Sequence, residues 1–405
     1  MSSAAHAPTT IGSVPIRAAR LAELALAVGS FGIGTGEFAI MGLLPNVAGD
    51  VGVTIPQAGH VISAYALGVV VGAPVFAVLG ARLSRRTLLL GLMAIFAAGN
   101  LLSAAAPGYG TLMALRFLTG LPHGAYFGVA ALVAAAMAPG ARAQAVGRVM
   151  LGLTIATLLG TPLATGVGQA LGWRAAFALV GAIGLLTMAL VWRFVPYDPP
   201  AAGASPLREL AGLRRRQVWL TLAIGAIGSG GMFATFSYIT PTLTKAAGLP
   251  EAVVPFVLCL FGVGMILGNI VGPRLADRAL LPTIGCALVW NIAVLVLFGL
   301  TAGIGWFAVV DVLLIGTGFA LSPALQIRLM DVAAESQTLA AALNHSAFNI
   351  ANALGAWLGG VAIAAGYGWT STGWVGALLG LGGLAVFALS LAGEARPSGH
   401  APSKA

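Results

Sequence analysis

Long apolar runs separated by short polar segments cover almost the whole chain. A membrane-spanning helix needs about 20 apolar residues, and twelve runs are long enough. These runs lie at 21–44, 57–79, 87–107, 110–137, 147–169, 174–195, 218–242, 252–271, 282–302, 306–327, 338–365 and 371–393. The pattern therefore predicts an all-α membrane protein with twelve transmembrane helices.

The longest polar stretch, residues 196–217, divides these runs six and six. It predicts a cytoplasmic linker between an N-terminal six-helix bundle, 21–195, and a C-terminal six-helix bundle, 218–393. Residues 1–20 are polar and are followed by an apolar run too long for a signal peptide. We therefore expect a disordered cytoplasmic N-terminal tail at 1–20 and a second cytoplasmic tail at 394–405.

Basic residues concentrate on one side of the predicted spans. Of the 20 Lys and Arg residues, 17 lie in segments on the side of the N-terminus, whereas Arg174 and Lys245 lie in the opposite loops and Arg116 lies within a span. Basic loops remain cytoplasmic in inserted proteins. The distribution predicts a multi-pass protein of the bacterial inner membrane with both termini in the cytoplasm.

Composition excludes several other classes of protein. A hydrophobic fraction of 59% with 8% charged residues is incompatible with a soluble domain. The net charge of +9 suits contact with anionic lipid headgroups, and no basic domain suggests a nucleic-acid partner. The sequence has no phosphate-binding Walker loop, no HExxH zinc motif and no GxSxG nucleophile motif. We expect no enzyme activity, cofactor or metal.

The two halves show internal similarity at an offset of 196 residues. Glycine is frequent, so some matches arise by chance, but the proline and tryptophan matches are harder to dismiss. The offset pairs Gly68 with Gly264, Gly120 with Gly316, Pro45 with Pro241, and Trp173 with Trp369. Duplicated six-helix halves place a substrate site between them near the membrane midplane and transport by rocking around it.

Several motifs resemble those of one transporter family. The segments are GEFAIMGLL at 36–44, AGHVISAYALG at 58–68, LRFLTGLPHG at 115–124, GWRAAF at 172–177 and ALNHSAFN at 342–349. They resemble the drug:proton antiporter branch, with twelve spans, of the major facilitator superfamily, and are most similar to arabinose-efflux-type permeases. The resemblance covers about residues 21–393 and implies two pseudo-symmetric six-helix bundles in a monomer.

The loop motifs of this family are only partly present. The 2–3 loop, residues 80–86, reads GARLSRR and lacks the acid that usually precedes its first arginine, whereas the 8–9 loop retains Asp277 and Arg278. The resemblance assigns gating to Gly80, Arg82, Arg85, Arg86, Gly272, Asp277 and Arg278. It also implies close helix packing around Gly152, Gly160 and Pro162, although Thr161 interrupts the Gly-Pro ending of that motif.

Two charged residues lie within the spans at similar depth. Glu37 in the first span and Arg116 in the fourth each lie six or seven residues from the outer end. An isolated charge at that depth is costly, so a partner or a water-filled cavity is expected. We predict that Glu37 exchanges the coupled proton and that Arg116 is its electrostatic partner. The alternative is a permanent ion pair that only tethers two helices.

Other polar residues in the spans are weaker candidates. His123 shares a helix face with Arg116, and either exchanges protons or forms a helix–helix hydrogen bond. Asp311 either exchanges protons or is a shallow, solvated acid. The predicted substrate cavity is lined by Phe38, Met41, Tyr126, Phe233, Phe236, Tyr238, Asn344, His345 and Asn349. The aromatic residues among them alternatively serve in packing.

Together, these features predict proton-coupled export of small organic solutes, drug or sugar-like, by alternating access. The expected partners are a small-molecule substrate, protons and membrane lipid. Two alternatives stay open at this stage. One is a sugar or nucleoside exporter with looser proton coupling, and the other is a membrane sensor or scaffold that binds a ligand in the cavity without transport.

Overall fold

The described part of the protein consists of helices. A computed structural model describes residues 15–53, 55–199, 210–250, 253–334 and 336–394, and no β-strand occurs among them. Most of both predicted tails and residues 200–209 of the predicted linker lie outside the described residues. Twelve long helices follow one another: α1 Ile16–Phe38, α2 Ile55–Leu79, α3 Arg85–Ala104, α4 Tyr109–Met137, α5 Arg142–Leu171, α6 Trp173–Phe194, α7 Arg216–Ser237, α8 Val254–Arg278, α9 Leu280–Thr301, α10 Phe307–Ala333, α11 Gln337–Tyr367 and α12 Ser371–Glu394.

Eleven of these helices, α2 to α12, are long and apolar enough to cross a membrane, counting only the described residues. Helix α1 has 23 residues and is therefore long enough, but it carries Glu23 and Glu37 and is not among the eleven. The all-α fold is confirmed. The first span ends earlier than predicted, because α1 ends at Phe38 and the chain continues through a 3₁₀ turn, Ala39–Leu43, into the short helix Leu44–Val51.

Four of the long helices contain irregular turns in the residues that the structure describes. Helix α5 changes to π-helical geometry at Ala156–Gly160, α7 is broken at Ser229, α10 changes to 3₁₀ geometry at Gly318–Ala320, and α11 ends in a π-helical turn at Ile363–Tyr367. Irregular backbone inside a spanning helix is tolerated where neighbouring helices or a cavity satisfy the freed polar groups. These turns are therefore the places where the helices depart from straight rods.

The same close glycine contact occurs in each half. A Cβ atom placed on Gly68 of α2 would lie 3.1 Å from the Cα atom of Gly120 in α4. A Cβ atom placed on Gly264 of α8 would lie 3.0 Å from the Cα atom of Gly316 in α10. These are the residues that the sequence pairs at an offset of 196. The internal similarity therefore corresponds to a repeated helix–helix contact.

The two halves pack against one another through α4 with α11, α2 with α11 and α5 with α8. At the α4–α11 contact, a Cβ atom on Gly128 would lie 2.5 Å from the backbone nitrogen of Ala342. At the α5–α8 contact, a Cβ atom on Gly147 would lie 2.6 Å from Pro273. Both contacts lie toward the end of the helices that carries the basic loops, which we call the basic end. Glycine lets the two halves approach closely there.

Candidate functional site

Arg116 is completely buried in the N-terminal half. Its Nη2 atom donates a hydrogen bond of 3.0 Å to the carbonyl oxygen of Gly36 in α1. Its guanidinium carbon lies 4.3 Å from the ring centroid of Tyr65 and 5.4 Å from that of Phe177, distances at which a cation is attracted to an aromatic face. The Nε and Nη1 atoms have no hydrogen-bond partner. The cation is thus held by aromatic rings and one carbonyl group, and its Nε and Nη1 donors remain available.

Glu37 lies beside this cation without a direct salt bridge. It is half-buried near the end of α1 and within electrostatic range of Arg116. No nitrogen–oxygen distance of 4.0 Å or less joins the two side chains in the described residues. The predicted neighbours are therefore brought together, but the Arg116 side chain bonds to α1 through the carbonyl group of the residue before Glu37, Gly36.

Tyr65 extends this site to the interface between the halves. Its hydroxyl group is 3.1 Å from Nδ1 of His123, and both residues are buried. The His123 ring centroid lies 5.5 Å from that of His345 on α11. Phe127 stacks on His345 with a centroid distance of 4.2 Å. These four residues, which we call the imidazole cluster, join α2 and α4 of one half to α11 of the other.

The polar residues of α11 mostly contact other helix groups. Asn344 is buried, and its side-chain amide donates 2.6 Å to the Oε1 atom of Gln326 on α10. Asn349 donates 2.9 Å to the carbonyl oxygen of His345 within its own helix. The two asparagines predicted at the substrate cavity are therefore engaged in helix contacts here. His345 differs, because its buried Nε2 atom has no hydrogen-bond partner.

Several aromatic residues predicted at the substrate cavity pack between helices instead. Tyr126 has no exposed surface, and its hydroxyl group donates 2.9 Å to the carbonyl oxygen of Leu26 in α1. Phe236 stacks on Phe261 of α8 at 4.4 Å. Tyr238 donates 2.8 Å to the carbonyl oxygen of Ala356. Large rings fill gaps between helices well, so aromatic character alone does not identify a cavity.

The remaining cavity candidates are less constrained. Phe233 is half-buried and packs against the apolar core of the C-terminal half. Phe38 is half-buried at the end of α1, directly after Glu37. Met41 falls in the 3₁₀ turn that follows, and its side chain lies outside the described residues. Phe38 is therefore the predicted cavity residue nearest in sequence to the Glu37 carboxylate.

Asp311 is buried rather than shallow and solvated. Only 2% of its surface is exposed. Its Oδ2 atom accepts a hydrogen bond of 2.7 Å from Thr301, at the end of α9. The hydroxyl group satisfies the acid locally, which explains how α10 accommodates it. The expectation of a solvated carboxylate is therefore wrong, and Asp311 contacts its own half rather than the imidazole cluster.

The basic end is closed by contacts between the halves. Asp277, one residue before the end of α8, accepts hydrogen bonds of 2.7 Å and 3.0 Å from the backbone nitrogens of Ala143 and Gln144. These groups lie in the first turn of α5, where N–H groups lack helical partners. Next to them, Arg142 forms a salt bridge of 2.9 Å with Asp331 at the end of α10. The acid that the 8–9 loop retains therefore caps a helix of the other half.

The arginine-rich 2–3 loop makes contacts within its own side of the molecule. Arg85 lies 3.9 Å from Asp198, and Arg86 donates to the carbonyl oxygen of Trp192 at the end of α6. Arg82 and Arg278 are exposed. Gly80 packs against Leu88, and Gly272 packs against Ala320 of α10. Among the charged gating candidates, Asp277 is the one with a described contact across the halves.

The predicted packing motif lies where α5 meets α1. A Cβ atom on Gly152 would collide with the backbone of Ala27, and one on Gly160 would collide with the hydroxyl group of Thr35. Pro162 is near the start of the helical segment Thr161–Leu171, directly after the π-helical turn. The backbone bends at this motif despite the intervening threonine.

Two features escape the sequence reasoning. Tyr65 lies between Arg116 and His123, but a tyrosine in a span gives no signal of its own. Glu23 of α1 is buried and accepts hydrogen bonds of 2.6 Å and 2.7 Å from Arg148 of α5. An acid in an apolar span with an arginine at the inner end of another span could have indicated this pair.

Comparisons with known proteins agree with this architecture. Residues 26–338 match the Major Facilitator Superfamily. The inner membrane transport protein YdhP of Escherichia coli (strain K12) is 41% identical, with 92% of this chain and 96% of that protein covered. A chloramphenicol resistance protein of Streptomyces lividans is 34% identical, over 82% of this chain and 86% of that protein.

More distant similarities extend the comparison to sugar transport and to solved structures. A Helicobacter pylori (strain J99) protein named "Probable sugar efflux transporter" is 29% identical, over 92% of this chain and 95% of that protein. The crystal structure of the transporter FucP in the outward conformation matches with a TM-score of 0.71 at 16% identity, covering 92% of this chain and 99% of that chain. The last similarity concerns the fold alone. The chain belongs to the major facilitator superfamily, and it is a multi-pass inner-membrane transporter of small molecules rather than an enzyme.

Proposed function

We propose that this transporter exports small organic solutes, drug or sugar-like, from the bacterial cytoplasm in exchange for protons. The observation that carries the proposal is the fully buried Arg116, fixed on the Gly36 carbonyl next to Glu37. A lone buried cation needs a counter-charge, and a carboxyl group that can gain or lose a proton supplies one that is variable. Relatives named for chloramphenicol resistance and for sugar efflux support export and both substrate classes.

The coupling step follows from which group changes its charge. Arg116 stays charged throughout, since a guanidinium group does not lose its proton in proteins. Glu37 is half-buried and more accessible than Arg116. When a proton neutralises Glu37, the Arg116 charge loses its counter-ion while its hydrogen bond to Gly36 persists. This imbalance favours the outward-facing, substrate-releasing state.

Alternating access requires that one end of the bundle closes when the other opens. The Asp277 cap on α5 and the Arg142–Asp331 salt bridge close the basic end. With that end in the cytoplasm, this arrangement corresponds to an outward-facing transporter. Cytoplasmic termini and a monomeric state belong to the same proposal. The alternative of a sensor without transport loses its support once the chain is placed in a transporter family.

The test is a flux measurement in proteoliposomes. A pH jump drives the efflux of a panel of radiolabelled drugs and sugars, including chloramphenicol and arabinose. We expect Glu37→Gln to lose pH-driven efflux while retaining exchange of labelled for unlabelled substrate, because exchange needs no net proton movement. Asp198→Asn, the same chemical change outside the helices, serves as the matched control and retains both. Full pH-driven efflux in Glu37→Gln would exclude this role for Glu37.

A further inference from the structure

The imidazole cluster places two titratable side chains from opposite halves next to each other. His123 on α4 and His345 on α11 have ring centroids 5.5 Å apart, and both are buried, with 2% and 6% exposed surface. The glycine contact between α4 and α11 lies within two turns of this pair, because Gly124 and Gly128 pack against Ala342. The two imidazoles therefore lie where the halves are most closely packed.

The surroundings of the pair favour neutral rings. Phe127 stacks on His345 at 4.2 Å and lies 5.2 Å from His123. The Nε2 atom of His345 lacks any hydrogen-bond partner that could share an added charge. A charge moved into a dry apolar contact is costly unless a partner or water reaches it. A protonated ring would thus be accommodated only when water enters between α4 and α11.

The charged and titratable groups around the pair add to this effect. Tyr65 approaches His123 from α2, and Arg116, which lies about two turns before His123 on the same face of α4, lies over the Tyr65 ring. Glu37 on α1 follows beyond Arg116. On the side of α10, the neutral amide of Gln326 contacts Asn344, next to His345. Arg116, the cation that contacts Tyr65, disfavours a second positive charge at His123.

We propose that His123 and His345 form a proton-operated latch between the two halves, closed while both imidazoles are neutral and opened when either one takes up a proton. The latch rests on the proposed proton-coupled export, and it gives the incoming proton a second binding site after Glu37. Protonation at the pair separates α4 from α11 and opens the basic end. Release of the proton on that side then lets the halves close again.

The latch is tested by measuring the separation of the halves directly, independently of flux. Nitroxide labels are attached at Gly140→Cys in the 4–5 loop and Ala279→Cys in the 8–9 loop, both exposed positions. The two natural cysteines, which are free, are replaced by serine. Distances between the labels are recorded by pulsed electron paramagnetic resonance in lipid nanodiscs, at about pH 8 and about pH 5, the range in which histidine changes charge.

The expected result is a short distance at the higher pH and a growing population of longer distances at the lower pH. The double variant His123→Gln, His345→Gln keeps polar side chains that cannot ionise, and we expect it to lose this pH response. Phe127→Leu is the control for packing. It shifts the populations at both pH values but keeps the response to pH. A double variant whose populations still change with pH as in the parent would overturn the latch.

Failure of the latch and failure of the proposed function are distinguishable. If pH-driven export is observed but the label distances ignore pH, the latch is wrong and the proton-coupled function stands. If the distances respond to pH but export does not, the proposed function is wrong and the latch stands. The Glu37→Gln variant with the same labels completes the test, since it should lose pH-driven export and keep the response of the distances to pH.

Discussion

Arg116 donates its hydrogen bond to the carbonyl oxygen of Gly36, at 3.0 Å, and not to the carboxylate of the next residue, Glu37. The cation is thereby fixed to the backbone of α1, whereas the Glu37 carboxylate forms no salt bridge with it in the described residues, which is the freedom that the proposed proton exchange requires. A direct bidentate salt bridge would hold both groups in one charge state. The arrangement separates a permanent charge from a variable one.

Replacing Arg116 with lysine tests the geometry of the cation while keeping its charge. An ammonium group cannot donate to Gly36 and also stack on Tyr65 as a planar guanidinium does. Hydrogen bonds to charged groups contribute about 1.5–3 kcal/mol, so we expect Arg116→Lys to reduce pH-driven export by on the order of tenfold or more. The measurement is the initial rate of efflux at equal protein content. Arg17→Lys, at an exposed position outside the proposed sites, should keep the parental rate, and an unchanged rate in Arg116→Lys would show that charge alone is sufficient.

Gly128 tests whether close approach of the halves is needed for the transport cycle. Alanine there would place a Cβ atom 2.5 Å from the backbone nitrogen of Ala342, which cannot move aside as a side-chain tip can. Overpacking of this kind costs about 1–3 kcal/mol, so we expect Gly128→Ala to open the basic end and lower export. The readout is the distance between labels at Gly140→Cys and Ala279→Cys. Gly166→Ala, which meets nothing within 4 Å, is the control and should leave the distance unchanged.

The Asp277 carboxylate allows a test of whether the cap on α5 helps to close the basic end. Its two carboxylate oxygens accept from two backbone N–H groups, and asparagine has one oxygen to offer. We therefore expect Asp277→Asn to destabilise the closed state of the basic end relative to the open state by about 1 kcal/mol or more. The open population should increase accordingly. Reaction of a water-soluble maleimide with a thiol at Val149→Cys, a buried position in α5, reports the opening once both natural cysteines are replaced by serine. Asp198→Asn should behave as the parent; equal thiol reactivity in Asp277→Asn would show that the cap contributes nothing to closure.

Asp50 in the short helix Leu44–Val51 provides a prediction about pH and stability. Hydrogen bonds from Arg174 and Trp173 hold the pKa of Asp50 below its ordinary value. Because the folded state favours the charged form, the contribution to stability is present above the ordinary pKa and is lost as pH falls through the lowered one. We expect Asp50→Asn to lower the melting temperature at neutral pH and to match the parent in strong acid. A constant difference across this pH range would contradict the assignment.

The sequence predicts the site best where residues are rare in a membrane. Charges are so uncommon in the spans that Glu37 and Arg116 stand out, and the family motifs bring their helices together. The contact between His123 and His345 could not be predicted in this way, because it depends on how α4 meets α11 across the two halves. Tyr126 and Asp311 show the reverse error. Residue type suggested a cavity and a solvated acid, whereas local packing and the Thr301 hydroxyl group decided otherwise.

The repeated glycine contact, Gly68 with Gly120 and Gly264 with Gly316, has a mechanical consequence. Two helices whose backbones touch have no flexible side chains between them, so each pair is expected to move as one rigid unit. A rigid helix pair in each half concentrates any deformation at the interface between the halves and at the irregular turns of α5, α7, α10 and α11. Substitutions that loosen one of these glycine contacts should therefore reduce the movement of the two halves relative to each other, even when they lie far from every charge.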